Sequence, residues 1–233
     1  MMSLRIKGLQ KTSLIDYDTY TSCVVFLSGC NFRCGFCQNP DLIVELDKTP
    51  TICEHEFFDF LEKRKKWLDG VVVTGGEPCL NEELPLFIRI IKDKGFKVKL
   101  DTNGTNPKMI EDFIKNRLVD YVAMDIKGPL EKYDNIAGVK VDKEMMKKSA
   151  DLIMKSGIDY EFRLTAVPGL IERADFEKIG KWLEGAKRFF IQQFRNKVCL
   201  DKSFEKIKPF SRDNLDEFKR ILDKYIKDVK VRG

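Results

Sequence analysis

Short β-branched runs alternate with amphipathic stretches along most of the 233-residue chain. "CVVFLS" (Cys23–Ser28), "VVVT" (Val71–Thr74), "KVKLD" (Lys97–Asp101), "DYVAMD" (Asp120–Asp125), "YEFRLTAV" (Tyr160–Val167) and "RFFIQQF" (Arg188–Phe194) read as strands. "EFFDFLEKRKKWL" (Glu56–Leu68) sets Phe57, Leu61 and Leu68 on one helical stripe. "EELPLFIRIIKDKG" reads as a helix closed by Gly95. Asn106 before Pro107 is an N-cap followed by a first-turn proline. Asp142 caps a helix that runs to about Ser156 and stops at Gly157. A last helix, about Asn214–Ile226, precedes the tail "VKVR".

Strand–helix alternation predicts an α/β fold with a parallel sheet and helical crossovers. The six strands end near residues 28, 74, 101, 125, 166 and 193. Eight would close a full barrel, so six predict a partial (β/α)6 TIM-like barrel, open on one side. The expected organisation is a single domain: an extension over 1–22, a barrel core over 23–195, and a C-terminal helix and tail over 196–233. In such folds the chemistry sits at the C-terminal ends of the strands.

Composition narrows the picture. Apolar residues make up 43% of the chain, enough for a substantial core. No apolar run is long enough to span a bilayer, and "MMSLRIKGLQ" lacks an apolar signal core, so the expected location is cytoplasmic, with no membrane partner. The net charge of +5 comes from Lys and Glu spread along helical stretches, which reads as solvated faces and not as a nucleic-acid surface. Seven cysteines without a secretory signal argue against a disulfide scaffold and for a reducing compartment with a metal site.

The cysteines cluster where the first strand ends. "GCNFRCGFCQNP" carries Cys30, Cys34 and Cys37, on a loop expected to lie outside the core. Thiolates suit zinc or iron–sulfur. Structural zinc wants four ligands, and here it would have to recruit Cys53 or Cys23. Three cysteines in one loop suit three irons of a cubane cluster with the fourth left open; three unliganded thiols are the plain alternative. The next strand ends carry Gly75-Gly76-Glu77-Pro78, Asp101-Thr102 and Asp125-Ile126-Lys127. Glycines admit close approach to the backbone, and Glu77 is an acceptor for a cationic group. Each end alone is an ordinary turn. Four in succession describe a site for a polar small molecule beside a metal cluster.

These motifs resemble the radical S-adenosylmethionine (SAM) superfamily: C-x3-C-x2-C with Phe36 before the last cysteine, and G-G-E-P 38 residues later. "GLQKTSLIDYDTYTSCVVFLSGCNFRCGFCQNP", "DTNGT", "AMDIKG", "FRLTAVPG" and "FFIQQFR" extend the resemblance to the glycyl-radical activating enzymes. Within them the chain looks most like the compact activators of anaerobic ribonucleoside-triphosphate reductase, with pyruvate formate-lyase activating enzyme a near relative.

The resemblance implies one 4Fe-4S cluster on Cys30, Cys34 and Cys37, with SAM chelating the open iron. Phe36 would lie near the adenine, and Gly75, Gly76 and Glu77 would meet the methionine ammonium. Asp101, Thr102, the Ala123 carbonyl and Asp125 match positions that hold a monovalent cation in the pyruvate formate-lyase activators. Ile126, Lys127, Arg163, Gln38 and Arg195 complete the implied SAM contacts. Gln38 and Arg195 both stand where that relative has histidine. The implied partners are a glycyl-radical enzyme as protein substrate and a flavodoxin- or ferredoxin-type electron donor. A pyruvate formate-lyase-type activase, or a radical SAM enzyme acting on a small molecule, shares the same motifs.

Only 37 residues separate Cys37 from Gly75, so the ferredoxin-like insert of larger activases is not expected, and Cys53 reads as packing. Cys79 reads either as a small buried hydrophobe or as an oxidation-sensitive thiol. "GPLEKYDNIAGVKV" is expected to form part of a docking rim for the partner.

Overall fold

The computed structural model describes residues 4–44 and 50–233. Eight strands form one sheet in sequence order, β1 to β8. The six expected strands are present as β2 (Ser22–Leu27), β3 (Gly70–Gly75), β4 (Lys97–Thr102), β5 (Tyr121–Asp125), β6 (Asp159–Ala166) and β7 (Arg188–Gln193). Two strands were not expected. β1 (Ile6–Ser13) runs antiparallel to β2, and β8 (Asp228–Arg232) extends the parallel set beyond β7. β1 lies within the anticipated extension, and β8 absorbs the "VKVR" tail. Their polar outer faces dilute the apolar pattern by which a strand is recognised. The sheet is open and α/β, as a partial barrel requires.

Two compact units divide the chain. The first comprises Met1–Asn31, Asp41–Thr102 and Asn106–Val122. Here β2, β3 and β4 pair in parallel, with Val25 opposite Val73 and Val73 opposite Leu100. The helices α1 (Glu54–Arg64), α2 (Leu84–Asp93) and α3 (Pro107–Lys115) contribute Phe57, Leu61, Phe87, Ile88, Ile110 and Phe113, all buried. Phe57 stacks on Phe87 at 5.3 Å. Each such aromatic removes enough apolar area to contribute about 2–3 kcal/mol. Asn106 caps α3 by accepting from the Met109 N–H at 3.1 Å. Cys53 is exposed and caps α1, its Sγ accepting from the Glu56 N–H at 3.4 Å while Glu56 reaches back to the Cys53 N–H. It is therefore neither packing nor a recruited ligand, but a thiol in a serine-like role.

The second unit comprises Phe32–Pro40, Asn103–Thr105 and Ala123–Gly233. β6, β7 and β8 pair in parallel, with Arg163 opposite Phe190 and Phe190 opposite Lys230. Around them lie α4 (Tyr133–Ala137), α5 (Lys143–Lys155), α6 (Arg173–Trp182) and α7 (Arg212–Leu222). Asp142 caps α5 as expected, and Phe176 of α6 stacks on Phe218 of α7 at 4.2 Å. Among the described residues no helix is long and apolar enough to cross a membrane.

Candidate functional site

Cys30 and the ends of β3 and β4 belong to the first unit. The Gly75–Pro78 turn is fastened to the chain that leads into Cys30. The Gly76 N–H donates to the Leu27 carbonyl at 2.9 Å, and the Glu77 N–H to the Gly29 carbonyl at 2.7 Å. A Cβ on Gly76 would stand 1.9 Å from the Gly29 oxygen, and one on Gly75 would stand 2.1 Å from the Leu27 oxygen. Gly75 also has a φ of +134°. The glycines thus admit a neighbouring backbone.

Glu77 is fully buried. Its Oε1 accepts from the Thr102 hydroxyl at 2.8 Å and from the Cys79 N–H at 2.9 Å. One carboxylate therefore ties the end of β3 to the end of β4 and caps the short Pro78–Leu80 turn. Cys79 is 1% exposed, and burial, reinforced by the Glu77 charge, pushes its thiol well above the usual range. It is the small buried hydrophobe of the two readings. Asp101 lies 3.9 Å from the buried Lys99 ammonium.

Cys34, Phe36, Cys37 and the ends of β5 and β6 belong to the second unit. Its loop does not lie outside the core: Cys34 and Phe36 are buried. The Arg33 N–H donates to the Ala137 carbonyl at 2.7 Å, and Phe32 meets Tyr133 edge-on at 6.5 Å. Gly138, with a φ of +68°, sits so close to Arg33 that a Cβ would stand 2.4 Å from its carbonyl oxygen. Tyr133, Ile136 and Ala137 are buried. Over Tyr133–Gly138, the segment expected to form part of a docking rim seats the second half of the cysteine loop. An isolated segment with apolar residues at Tyr133, Ile136 and Ala137 carries no sign of which loop it will cover.

Asp125 accepts from Arg163 Nε at 2.9 Å and pairs with Lys127 Nζ at 3.3 Å. Burial opposes its charge, but the two cations prevail and lower its pKa from 3.8 to about 2. Asp125 in turn keeps Lys127 protonated against its own burial. The buried hydroxyl of Tyr133 accepts from the Lys127 N–H at 3.2 Å and lies 3.5 Å from the Asp125 carbonyl, which braces this turn. The Ile126 N–H is taken by the Arg163 carbonyl at 2.7 Å. Gln38 and Arg195 meet each other: the Gln38 amide donates to the Arg195 carbonyl at 2.7 Å, and both residues are exposed.

Glu161 and Arg232 belong to this array and were missed. Glu161 is 1% exposed, 3.9 Å from Arg163 Nη1 and 3.4 Å from Arg232 Nη1. A charge chain Asp125–Arg163–Glu161–Arg232 therefore runs across β5, β6 and β8. The signal available was period two: Glu161 and Arg163 share one face of β6, while Tyr160, Phe162 and Leu164 are buried on the other.

The Asp125 ion pairs carry a pH prediction. The lowered pKa means that their stabilisation is present above pH 4 and is lost as pH falls towards 2. Its upper size is about 2 kcal/mol, reduced by solvent at a partly exposed carboxylate. In chemical denaturation Asp125→Asn should be less stable than the parent by about 1–2 kcal/mol at pH 7. The gap should close between pH 4 and 2; a gap independent of pH would contradict the assignment.

All seven cysteines are thiols. Cys30 and Cys37 are partly exposed, and burial raises the Cys34 thiol while Lys127 pulls it down. Three soft donors within eight residues fit a thiolate-held cluster. Among the described residues no three His, Cys, Asp or Glu side chains are grouped around a single ion position.

Comparisons with known proteins agree in one direction. The family described as "Radical SAM superfamily" matches residues 24–183. A protein of Methanocaldococcus jannaschii, provisionally named a glycyl-radical enzyme activating enzyme, is 38% identical over 99% of this chain and 97% of its own. The pyruvate formate-lyase-activating enzyme of Streptococcus mutans is 28% identical over 85% of this chain and 83% of its own. Among solved structures, SuiB of Streptococcus suis shares the fold with a TM-score of 0.68 at 14% identity, covering 88% of this chain and 47% of that one.

Proposed function

Because the chain belongs to the radical SAM superfamily and, within it, to the glycyl-radical activating enzymes, we propose that it installs a glycyl radical on a partner enzyme, anaerobic ribonucleoside-triphosphate reductase being the first candidate. The observation that carries this reading is the similarity to one such activating enzyme over 99% of the chain. The family implies a 4Fe-4S cluster and SAM. When bound and reduced by a flavodoxin- or ferredoxin-type donor, they supply one-electron cleavage of SAM to methionine and a 5′-deoxyadenosyl radical, which takes a hydrogen from the partner's glycine Cα.

The chain's own residues bind and orient. Cys30, Cys34 and Cys37 would hold the cluster as thiolates. The turn at Gly75, Gly76 and Glu77 receives the methionine ammonium. Asp125 stays ionised well below neutral pH, so Lys127 and Arg163 remain fixed cations for the SAM carboxylate and ribose. Phe36 offers its ring to the adenine. Gln38, bound to the Arg195 carbonyl, acts on SAM by shaping the loop, and the exposed Arg195 side chain is left for a contact of its own. The monovalent cation implied at Asp101, Thr102 and Asp125 is tested by SAM affinity in potassium against choline chloride.

The deciding experiment incubates the reduced holoenzyme and SAM with anaerobic ribonucleoside-triphosphate reductase or with pyruvate formate-lyase. A glycyl doublet in electron paramagnetic resonance on the reductase is the expected result. A doublet only on the lyase would reassign the partner. SAM cleavage with no protein radical on either would overturn the activase reading.

A further inference from the structure

The segment from Arg195 to Ile207 lies along the second half of the cysteine loop. The Cys37 N–H donates to the Cys34 carbonyl at 3.0 Å, so the two cysteines close one turn. Of that turn's three further carbonyls the segment takes two. The Asp201 N–H donates to the Gly35 carbonyl at 2.8 Å, and the Leu200 N–H to the Cys37 carbonyl at 3.0 Å. Gln38 fastens the near end through the Arg195 carbonyl at 2.7 Å.

The segment is itself braced. Asn196 Nδ2 donates to the Glu205 carbonyl at 3.2 Å, and Asp201 accepts from the Ser203 N–H at 2.8 Å to cap the Lys202–Lys206 turn. This turn presents Phe204. Its ring centroid lies 6.3 Å from that of Phe36, tilted by 55°. It also lies over Gly35 so closely that a Cβ there would stand 2.5 Å from Phe204 Cε2. The glycine between Cys34 and Cys37 is the space in which the Phe204 ring sits.

We infer that Phe204 is a positioning residue for SAM: seated over Gly35 by the Arg195–Ile207 strap, it fixes the ring of Phe36 and so the pocket for the adenine. The inference rests on the reading above that Cys34 and Cys37 hold the cluster and Phe36 meets SAM. Nothing in the cluster's ligand set requires Phe204. Its loss should therefore act on SAM more than on iron. A misplaced contact group costs binding and alignment without removing a ligand.

The test uses anaerobically reconstituted holoenzyme, reduced with dithionite, with iron content, the cluster's electron paramagnetic resonance spectrum and SAM-cleavage kinetics as readouts. Phe204→Ala should keep at least about three-quarters of the iron yet raise the KM for SAM by about tenfold, with a smaller change in kcat. The spectral change that SAM induces should need correspondingly more SAM. Phe204→Tyr, which keeps the ring, should restore the KM. Gly35→Ala should raise it as well, because the new methyl displaces the ring. The double variant Gly35→Ala/Phe204→Ala should be no worse than Phe204→Ala alone, since the methyl then enters vacated space.

Additive effects in the double variant, or an unchanged KM in Phe204→Ala, would overturn the inference. So would iron loss with an unchanged KM per cluster, which marks a merely structural role. If Phe204→Ala does not fold, Phe204→Leu takes its place with the same expected direction. Failure of the parent chain to bind iron or cleave SAM would instead strike the functional reading itself.

Discussion

The Cys34→Ser chain, reconstituted anaerobically with iron and sulfide, is expected to hold less than about a tenth of the parent's iron and to cleave no SAM. A hydroxyl is a hard, weakly acidic donor and does not replace a thiolate on iron. Cys34 is the telling choice among the three because it is buried, while Cys30 and Cys37 are partly exposed. Serine keeps its volume and leaves the Arg33–Ala137 bond and the Phe32–Tyr133 contact in place. The fold should survive at a cost of about 1 kcal/mol for a buried hydroxyl. Circular dichroism and thermal unfolding of the metal-free chain separate the two effects. Full iron content in a folded Cys34→Ser chain would remove Cys34 from the ligand set.

Gly76→Ala should be a severely damaging single methyl in the first unit. The added carbon would stand 1.9 Å from the Gly29 oxygen and 3.1 Å from Cys30 Cβ. The nearest of these is backbone, so no side chain can swing aside. Either the Gly76–Leu27 and Glu77–Gly29 hydrogen bonds part or Cys30 moves. The expected loss is about 3 kcal/mol or more of stability, together with iron content below about a third of the parent's. Gly95→Ala is the control: its Cβ meets nothing within 4 Å, although its φ of +90° carries a conformational cost of its own. Equal stability loss in the two variants would mean that backbone conformation, and not the approach of Gly29, explains the Gly76 effect.

These expectations differ in how much of each could be read from the chain. The three cysteines, the Gly-Gly-Glu turn, Asp125 and Lys127 sit next to apolar runs, so their placement at strand ends follows from local pattern. Asn106 and Asp142 act as the caps their positions announced. Cys53 does too, but as a cap that its residue type concealed. β1 and β8 were not recognised, because a strand with one wet face and polar neighbours carries little periodic signal. Glu161 and Arg232 were missed for a different reason. A Glu in a strand reads as solvent-facing until its cationic partner, 71 residues away in sequence, is known.

The amino-acid sequence by itself determined the strand–helix alternation, the polar motifs at the strand ends, and the superfamily. Period, propensity and motif spacing are local properties, written within a few residues of where they act. Only the tertiary structure decided what holds the cysteine loop. Its second half rests on Tyr133–Gly138 and lies under the strap that carries Phe204, and its latch from Gln38 to Arg195 spans 157 residues. Those contacts run through backbone carbonyls and through glycines that make room for them. Backbone groups are identical in every residue, so no residue type announces which of them will meet.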